Sequence, residues 1–266
     1  MFRPRIIPAL LLKDKGLVKT VQFRDPKYIG DPINAVHIYN DKKADELIFL
    51  NIVASRREGL FKRIKKHELP FDLTSKISRE CLMPLSYGGG ITSVHEIEML
   101  FKSGVEKVII NTEAFNNPGL IREASEIFGS QSIIVSIDAK KRSSGQYEVI
   151  INDGETPAGL DPVTHAKEME SQGAGEIMIN SIDLDGTMTG YDIELIRQVS
   201  DAVNIPVIAC GGAGKISDFR QAYYEGHASA LAAGSLFVFH GRKRAVLISY
   251  PTKKELEDLF SPEEML

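Results

Sequence analysis

Cysteine is scarce in this sequence, which has two cysteines in 266 residues. Cys81 and Cys210 lie far apart, and neither has partners at metal-ligand spacing, so nothing indicates a disulfide framework or a zinc site. We therefore expect both thiols to be reduced core residues of a cytoplasmic protein. We also expect no metal and no other cofactor.

Long apolar runs and an excess of basic residues are also missing. No stretch approaches the roughly 18 apolar residues of a membrane span, and the apolar part of MFRPRIIPALLL is short for a signal peptide. The formal net charge is −4, and the Lys and Arg residues are scattered along the chain. This distribution argues against a nucleic-acid surface. We expect a protein that binds neither membranes nor nucleic acids.

The chain does contain a regular alternation of short apolar runs and amphipathic segments. The segments between the runs, such as 93–104 and 161–172, have the residue spacing of helices. The apolar runs predict eight buried strands, at 5–12, 46–52, 82–87, 107–111, 132–138, 176–181, 206–210 and 229–233. Eight strand–helix units predict an α/β fold, a (β/α)₈ TIM barrel that forms one domain over 1–266. A doubly wound open sheet is the alternative.

An internal repeat predicts that the barrel consists of two similar half-barrels. The sequence YGGG at 87–90 is echoed by CGGA at 210–213, and the same offset relates the pair at 111–112 to the pair at 234–235. Two longer connections follow the first and fifth strands, at the end of a barrel where active sites lie. We expect a loop at 14–30, and a connection with a small hairpin at 140–160.

Glycine-rich turns directly after strands are suited to anions, because their backbone N–H groups can point at a ligand. The turn after the third strand would pair with the residues that follow the fourth. The turn after the seventh would pair with those after the eighth, the usual phosphate position of such barrels. The alternative is that these glycines only form tight turns and bind no ligand. Two matched pairs favour a ligand with a phosphate at each end, bound by Gly89, Gly90, Asn111, Thr112, Gly211, Gly212, Gly234 and Ser235.

The motifs RIIP, ELIFLNI, YGGGI, INTEAFNNP, SIDAK and GGAGK resemble the HisF-type cyclase subunit of imidazole glycerol phosphate synthase. The resemblance covers nearly the whole chain. It implies a barrel that receives ammonia through its core from a HisH-like glutaminase docked on the face opposite the active site. In that family the barrel then converts a bis-phosphorylated ribulosyl substrate to imidazole glycerol phosphate and an aminoimidazole nucleotide.

The resemblance identifies Asp138 as one of the family's two catalytic aspartates, and the sequence departs from the family at the other. Where the family has Leu-Asp-Val-Lys-Asp, this chain has LLLKD, so Leu11 occupies the catalytic position. Closing the ring needs an acid and a base together, and each such group typically contributes about 10²–10⁴-fold. We therefore expect the family's ordinary cyclase turnover to be severely reduced. Asp14, swinging in from the loop, is the alternative source of a carboxylate.

Three further residues are implied as ligand-positioning groups: Lys19, Asn51 and Asp185. Asn51 stands where the family has another carboxylate. The alternative for Lys19 is that it is a plain surface lysine without a ligand contact. The basic stretch at 56–66 is typical of a solvated helix face, with partner docking as the alternative.

Four charged residues begin the first, second, fourth and sixth strands: Arg5, Glu46, Lys107 and Glu176. Strand starts lie on the face opposite the phosphate turns, and isolated buried charges are costly, so we expect a ring of ion pairs. A plug that fixes the barrel end is one interpretation. The resemblance implies the other, a gate through which ammonia enters. The gate residues are retained, whereas one catalytic aspartate is lost. This combination indicates that the barrel serves as a conduit for ammonia.

Other departures, among them GLVKTVQF, LSYGGGI and AAGSLFVFHGRKRAVLISYP, resemble a paralogous branch, the WbuZ-like proteins. That branch is associated with a glutaminase and with an amidotransferase acting on N-acetyl sugars in surface-polysaccharide synthesis. The resemblance implies the synthase subunit of a glutamine amidotransferase complex, supplying ammonia to a sugar amidotransferase. A true cyclase of histidine biosynthesis is the alternative. A HisA-type isomerase would also need the missing aspartate.

Overall fold

The computed structural model of the protein describes residues 3–53, 69–241 and 243–261. Its strands are β1 (Arg5–Lys13), β2 (Gly16–Val21), β3 (Arg24–Gly30), β4 (Leu47–Asn51), β5 (Leu85–Gly88), β6 (Lys107–Ile110), β7 (Ile133–Lys141), β8 (Tyr147–Ile151), β9 (Thr156–Pro157), β10 (Glu176–Ser181), β11 (Val207–Cys210), β12 (Ala230–Ala233), β13 (Phe239–His240) and β14 (Ala245–Val246). Its helices are α1 (Pro32–Asp41), α2 (Phe71–Glu80), α3 (Val94–Lys102), α4 (Thr112–Asn116), α5 (Gly119–Phe128), α6 (Pro162–Ser171), α7 (Ile193–Ser200), α8 (Ser217–Tyr224), α9 (Ser235–Val238) and α10 (Lys253–Phe260).

Eight of these strands form a closed parallel barrel. Their order around it is β1, β4, β5, β6, β7, β10, β11 and β12. The barrel closes where β12 pairs in parallel with β1, beginning with Arg5 beside Ala230. Because helices alternate with the strands, the predicted α/β (β/α)₈ TIM barrel is confirmed. The open doubly wound sheet is therefore wrong.

The two halves of the barrel begin their first helices in the same way. Both α1 and α6 start at an Asp–Pro pair, in which the aspartate caps the helix and the proline occupies its first turn. Asp31 accepts hydrogen bonds from the backbone N–H groups of Ile33 and Asn34, and Asp161 accepts one from that of Thr164. These helix starts therefore show the same internal repeat as the glycine turns.

Side chains alternate between the outside and the inside of the barrel, as they do on any strand. The outward apolar residues pack against the helices, whereas the inward ones form a separate cluster. The inner cluster consists of Ile7, Ala9, Ile48, Ile109, Ile134, Met178, Ile208, Cys210, Ala230 and Ala232. An apolar column therefore separates the polar groups of the two barrel ends. Cys210 is a buried thiol as expected, but Cys81 is half-buried.

The connection at 14–30 is not the loop that the sequence predicts. It forms β2 and β3, which extend antiparallel from the end of β1. The turn between them has left-handed backbone at Gln22 (φ 50°) and Phe23 (φ 63°), without a glycine to signal it. The hairpin expected within 140–160 is confirmed, because β7 continues beyond the barrel and pairs with β8.

The end of the described chain is helical. Thr252 and Glu255 form a capping box at the start of α10. The basic stretch at 56–66 lies outside the described residues, so its two interpretations stay open. Within the described ranges, no helix is both long and apolar enough to cross a membrane.

Candidate functional site

A pocket of about 510 Å³ lies at the carboxyl ends of the barrel strands. That volume is in the usual range for a small-molecule site. The phosphate-binding, catalytic and ligand-positioning residues predicted from the sequence all line it: Leu11, Lys19, Asn51, Gly89, Gly90, Asn111, Thr112, Asp138, Asp185, Gly211, Gly212, Gly234 and Ser235. The fold therefore brings both glycine turns and the candidate catalytic residues into one cavity.

The first glycine turn lies close against the end of the neighbouring strand. Gly89 has φ 101°, and a Cβ there would lie 2.2 Å from the backbone oxygen of Asn51. This position therefore requires glycine. Helix α4, which begins at Thr112 beside the turn, has five residues. A helix of that length has a small dipole. An anion at this site would therefore be attracted mainly by the backbone N–H groups of the turn.

The second glycine turn is similarly confined and has a cation beside it. Gly211 and Gly212 have φ values of 85° and 110°, and a Cβ on Gly212 would lie 2.1 Å from the backbone oxygen of Gly190. A Cβ on Gly234 would lie 2.1 Å from Nζ of Lys19. The lysine ammonium therefore lies at Gly234, the residue that the sequence pairs with this turn, where it favours a negatively charged group.

Asp138 lies at the floor of the pocket, on β7. Its two carboxylate oxygens accept hydrogen bonds of 3.0 Å from Nδ2 of Asn111 and Nδ2 of Asn180. Burial raises the pKa of Asp138, the Asn180 bond opposes that shift, and the charges of Asp185 and Asp153 add to it. The resulting pKa is about 7. A carboxyl group that titrates near neutrality is suited to acid–base chemistry.

The position that the resemblance predicts for the second catalytic aspartate holds no carboxylate here. Leu11 is half-buried and lines the pocket beside Leu50 of β4. Asn51 is buried, and its Oδ1 accepts a hydrogen bond of 3.2 Å from the backbone N–H of Val53. Asp14, the alternative carboxylate, is exposed in the turn after β1 and does not line the pocket.

Lys19 projects into the pocket from β2. It is buried, and its Nζ donates a hydrogen bond of 2.6 Å to the backbone oxygen of Ala9. Burial lowers the pKa of Lys19 to about 8, against the attraction of Asp185. Burial also raises the pKa of Asp185 to about 6, and Lys19 opposes that shift. The alternative of a plain surface lysine is therefore wrong.

Asn180, Ser136 and Cys210 also line the pocket, although no sequence motif identifies them as site residues. The regular alternation of inward and outward side chains could have found Asn180, because it lies four residues after Glu176 on the same strand. Among the residues that the structure describes, no cluster of three or more His, Cys, Asp or Glu side chains could hold a metal ion.

The four charged residues form the expected ring at the amino ends of the strands. Arg5 lies 2.5 Å from both Glu46 and Glu176, and Lys107 lies 2.6 Å from Glu176 and 3.5 Å from Glu46. Ser86 donates a further hydrogen bond of 2.8 Å to Glu46. Burial opposes the charge of Arg5, but its contacts with Glu176 and Glu46 outweigh burial and raise its pKa. Two cations and two anions therefore balance at this end of the apolar column.

We expect Asp138 to titrate near pH 7 in the folded protein. The carboxyl group of an unfolded chain titrates at about pH 3.9, so the folded state binds this proton more tightly. The resulting stabilisation is fully present below about pH 4 and is lost as the pH rises to about 7. A ¹³C NMR titration of aspartate-labelled protein measures the pKa, with Asp138→Asn assigning the resonance. A pKa near 4 would contradict this account.

The fold and the pocket define a (β/α)₈ barrel with two glycine turns suited to anions. The family described as "Histidine biosynthesis protein" matches residues 5–243. A Pseudomonas aeruginosa protein, provisionally named imidazole glycerol phosphate synthase subunit hisF2, is 48% identical over 97% of this chain and 99% of its own. A Leptospira borgpetersenii protein, provisionally named as the HisF subunit, is 46% identical over 98% of this chain and 100% of its own. The Alkaliphilus metalliredigens imidazole glycerol phosphate synthase subunit HisF is 42% identical over 90% of this chain and 92% of its own.

The chain therefore belongs to the histidine biosynthesis protein family and, within it, to the HisF-like subunits of imidazole glycerol phosphate synthase. The family resemblance that the motifs indicate is confirmed.

Proposed function

We propose that this barrel is the synthase subunit of a glutamine amidotransferase complex and conducts ammonia from a HisH-like glutaminase. The observation that carries the proposal is a complete ring of charges at one end and a leucine at a catalytic position at the other. Arg5 and Lys107 keep both of their glutamate partners. The pocket retains Asp138, whereas the other aspartate of the family is replaced by Leu11.

The apolar column supports the conduit. Neutral ammonia can pass between apolar side chains such as Ile48, Ile134 and Met178, whereas an ammonium ion would lose its hydration there without compensation. The glutaminase would dock on the ring face, and ammonia would enter where docking separates the ion pairs. A plug that never opens is the competing role for the same four residues.

At the other end of the column, the two glycine turns would hold a phosphorylated ligand. Lys19 supports this role because its buried ammonium lies beside Gly234, which is paired with the second turn. Asn51 and Asp185 would orient the ligand above Asp138, the remaining rim carboxyl group.

The proposed fate of the ammonia is amidation of an N-acetyl sugar by a sugar amidotransferase of surface-polysaccharide synthesis. The resemblance to the WbuZ-like branch supports it, including the departure after β12 that forms the β13–β14 hairpin. A strain lacking this gene should lose amidated N-acetyl sugars from its surface polysaccharide, measured by mass spectrometry, and should grow without histidine. A strain that keeps these sugars and requires histidine would contradict the proposal.

A second function, the cyclase itself, is favoured by the near-neutral pKa of Asp138 and by the names of the relatives. The purified barrel, assayed with the bis-phosphorylated ribulosyl substrate and an ammonium salt, separates the two functions. We expect no imidazole glycerol phosphate above the level without protein, because an acid–base group is missing. Sustained turnover would replace our proposal with the cyclase.

A further inference from the structure

Asn180 occupies a central place in the pocket without a part in the function proposed so far. It lies beside Asp138 in the parallel register of β7 and β10, and its Nδ2 donates a hydrogen bond of 3.0 Å to one carboxylate oxygen. The side chain is 7% exposed. No donor among the described residues reaches its own Oδ1.

The unpartnered oxygen of Asn180 lies against the second glycine turn. A Cβ on Gly211 would lie 2.4 Å from Oδ1 of Asn180, so glycine at this position leaves space for the amide. One side chain therefore contacts the carboxyl group at one end and the proposed phosphate turn at the other.

We propose that Asn180 is a positioning residue that holds Asp138 by a hydrogen bond. The strength of this bond depends on whether an anion occupies the second phosphate turn. This inference rests on the proposed phosphate site. An anion bound by Gly211 and Gly212 would repel the negative end of the Asn180 amide. The amide would turn away, and the hydrogen bond from its Nδ2 to Asp138 would lengthen.

The charge on Asp138 then depends on the ligand. A weaker donor stabilises the carboxylate less, so anion binding raises the pKa of Asp138 through the amide as well as through direct repulsion. The other titratable groups that act on this part of the pocket come from four elements or their loops: Asp153, Asp185, Lys19 and Cys210. Asn180 bonds directly to one oxygen of the Asp138 carboxylate, and Asn111 bonds to the other.

The test is a ¹³C NMR titration of Asp138 in the full chain, with and without inorganic sulfate. Sulfate is a tetrahedral dianion whose charge is constant across this pH range. In the unaltered protein, sulfate should shift the amide signals of Gly211 and Gly212 and raise the pKa of Asp138. In Asn180→Ala, the pKa without sulfate should be higher by about one unit, the worth of one hydrogen bond to a charged acceptor. The rise on adding sulfate should then be smaller.

A second variant and a control keep the test independent of one substitution. Asn180→Ser removes the same amide with a smaller cavity, for use if the alanine variant does not fold. Asn34→Ala, on the exposed side of α1, should change neither quantity.

The outcomes separate this inference from the proposed function. If sulfate shifts the glycine amides but Asn180→Ala titrates like the unaltered protein, Asn180 has no positioning role and the phosphate site stands. If sulfate leaves the glycine amides unchanged, the phosphate site fails, and the inference fails with it.

Discussion

The Leu11→Asp variant should gain cyclase activity, to about 10²-fold or more above the level without protein. Leu11 is half-buried and lines the pocket that contains Asp138, so an aspartate there would face the same cavity. It would supply the second acid–base group that ring closure requires. Imidazole glycerol phosphate formed from the bis-phosphorylated substrate and ammonium salt measures the gain.

Leu11→Asn is the matched control, because it has nearly the shape and polarity of the aspartate but cannot exchange a proton. Equal rates for the two variants would show that the missing carboxylate is not what limits the reaction. A gain in Leu11→Asp that disappears with Asp138→Asn would show that the two carboxyl groups act together.

Replacing Glu46 with glutamine should destabilise the barrel by about 3–5 kcal/mol. Glu46 is 1% exposed and contacts Arg5, Lys107 and Ser86. Without its charge, two cations share the one anion of Glu176 at the barrel end. Urea unfolding gives the free energy, and a loss below about 1 kcal/mol would place this ring among ordinary surface ion pairs.

Two controls show whether charge balance is the cause. Glu98→Gln removes an exposed carboxylate that pairs with Lys102 on α3, and it should leave stability nearly unchanged because solvent screens that pair. In the double variant Glu46→Gln with Lys107→Met, the Arg5–Glu176 pair remains. This restores the balance of charges, so part of the lost stability should return.

The barrel and most of the candidate site could be predicted because both depend on local patterns. Apolar runs mark buried strands, and the alternation of side chains places Arg5, Glu46, Lys107 and Glu176 on one face. The connection after β1 was mispredicted, since β3 carries exposed charged residues and its turn has no glycine. Such a strand has no apolar periodicity to reveal it.

Contacts that depend on register and hairpin geometry were beyond the sequence. The bond between Asn180 and Asp138 follows from the exact pairing of β7 and β10. The inward position of Lys19 depends on how β2 pairs with β1. Neither relation leaves a spacing signal along the chain, because each joins residues on different strands.

The conduit is tested most directly by the rate of glutamine hydrolysis by the cognate HisH-like glutaminase. This rate is measured with increasing barrel, with and without sugar or phosphate ligands. We predict a stable complex and a rate that rises until the two chains are equimolar. Disrupting the ring by Glu46→Gln should change that stimulation. Failure of the two proteins to associate, together with an unchanged rate under every ligand condition, would contradict the account.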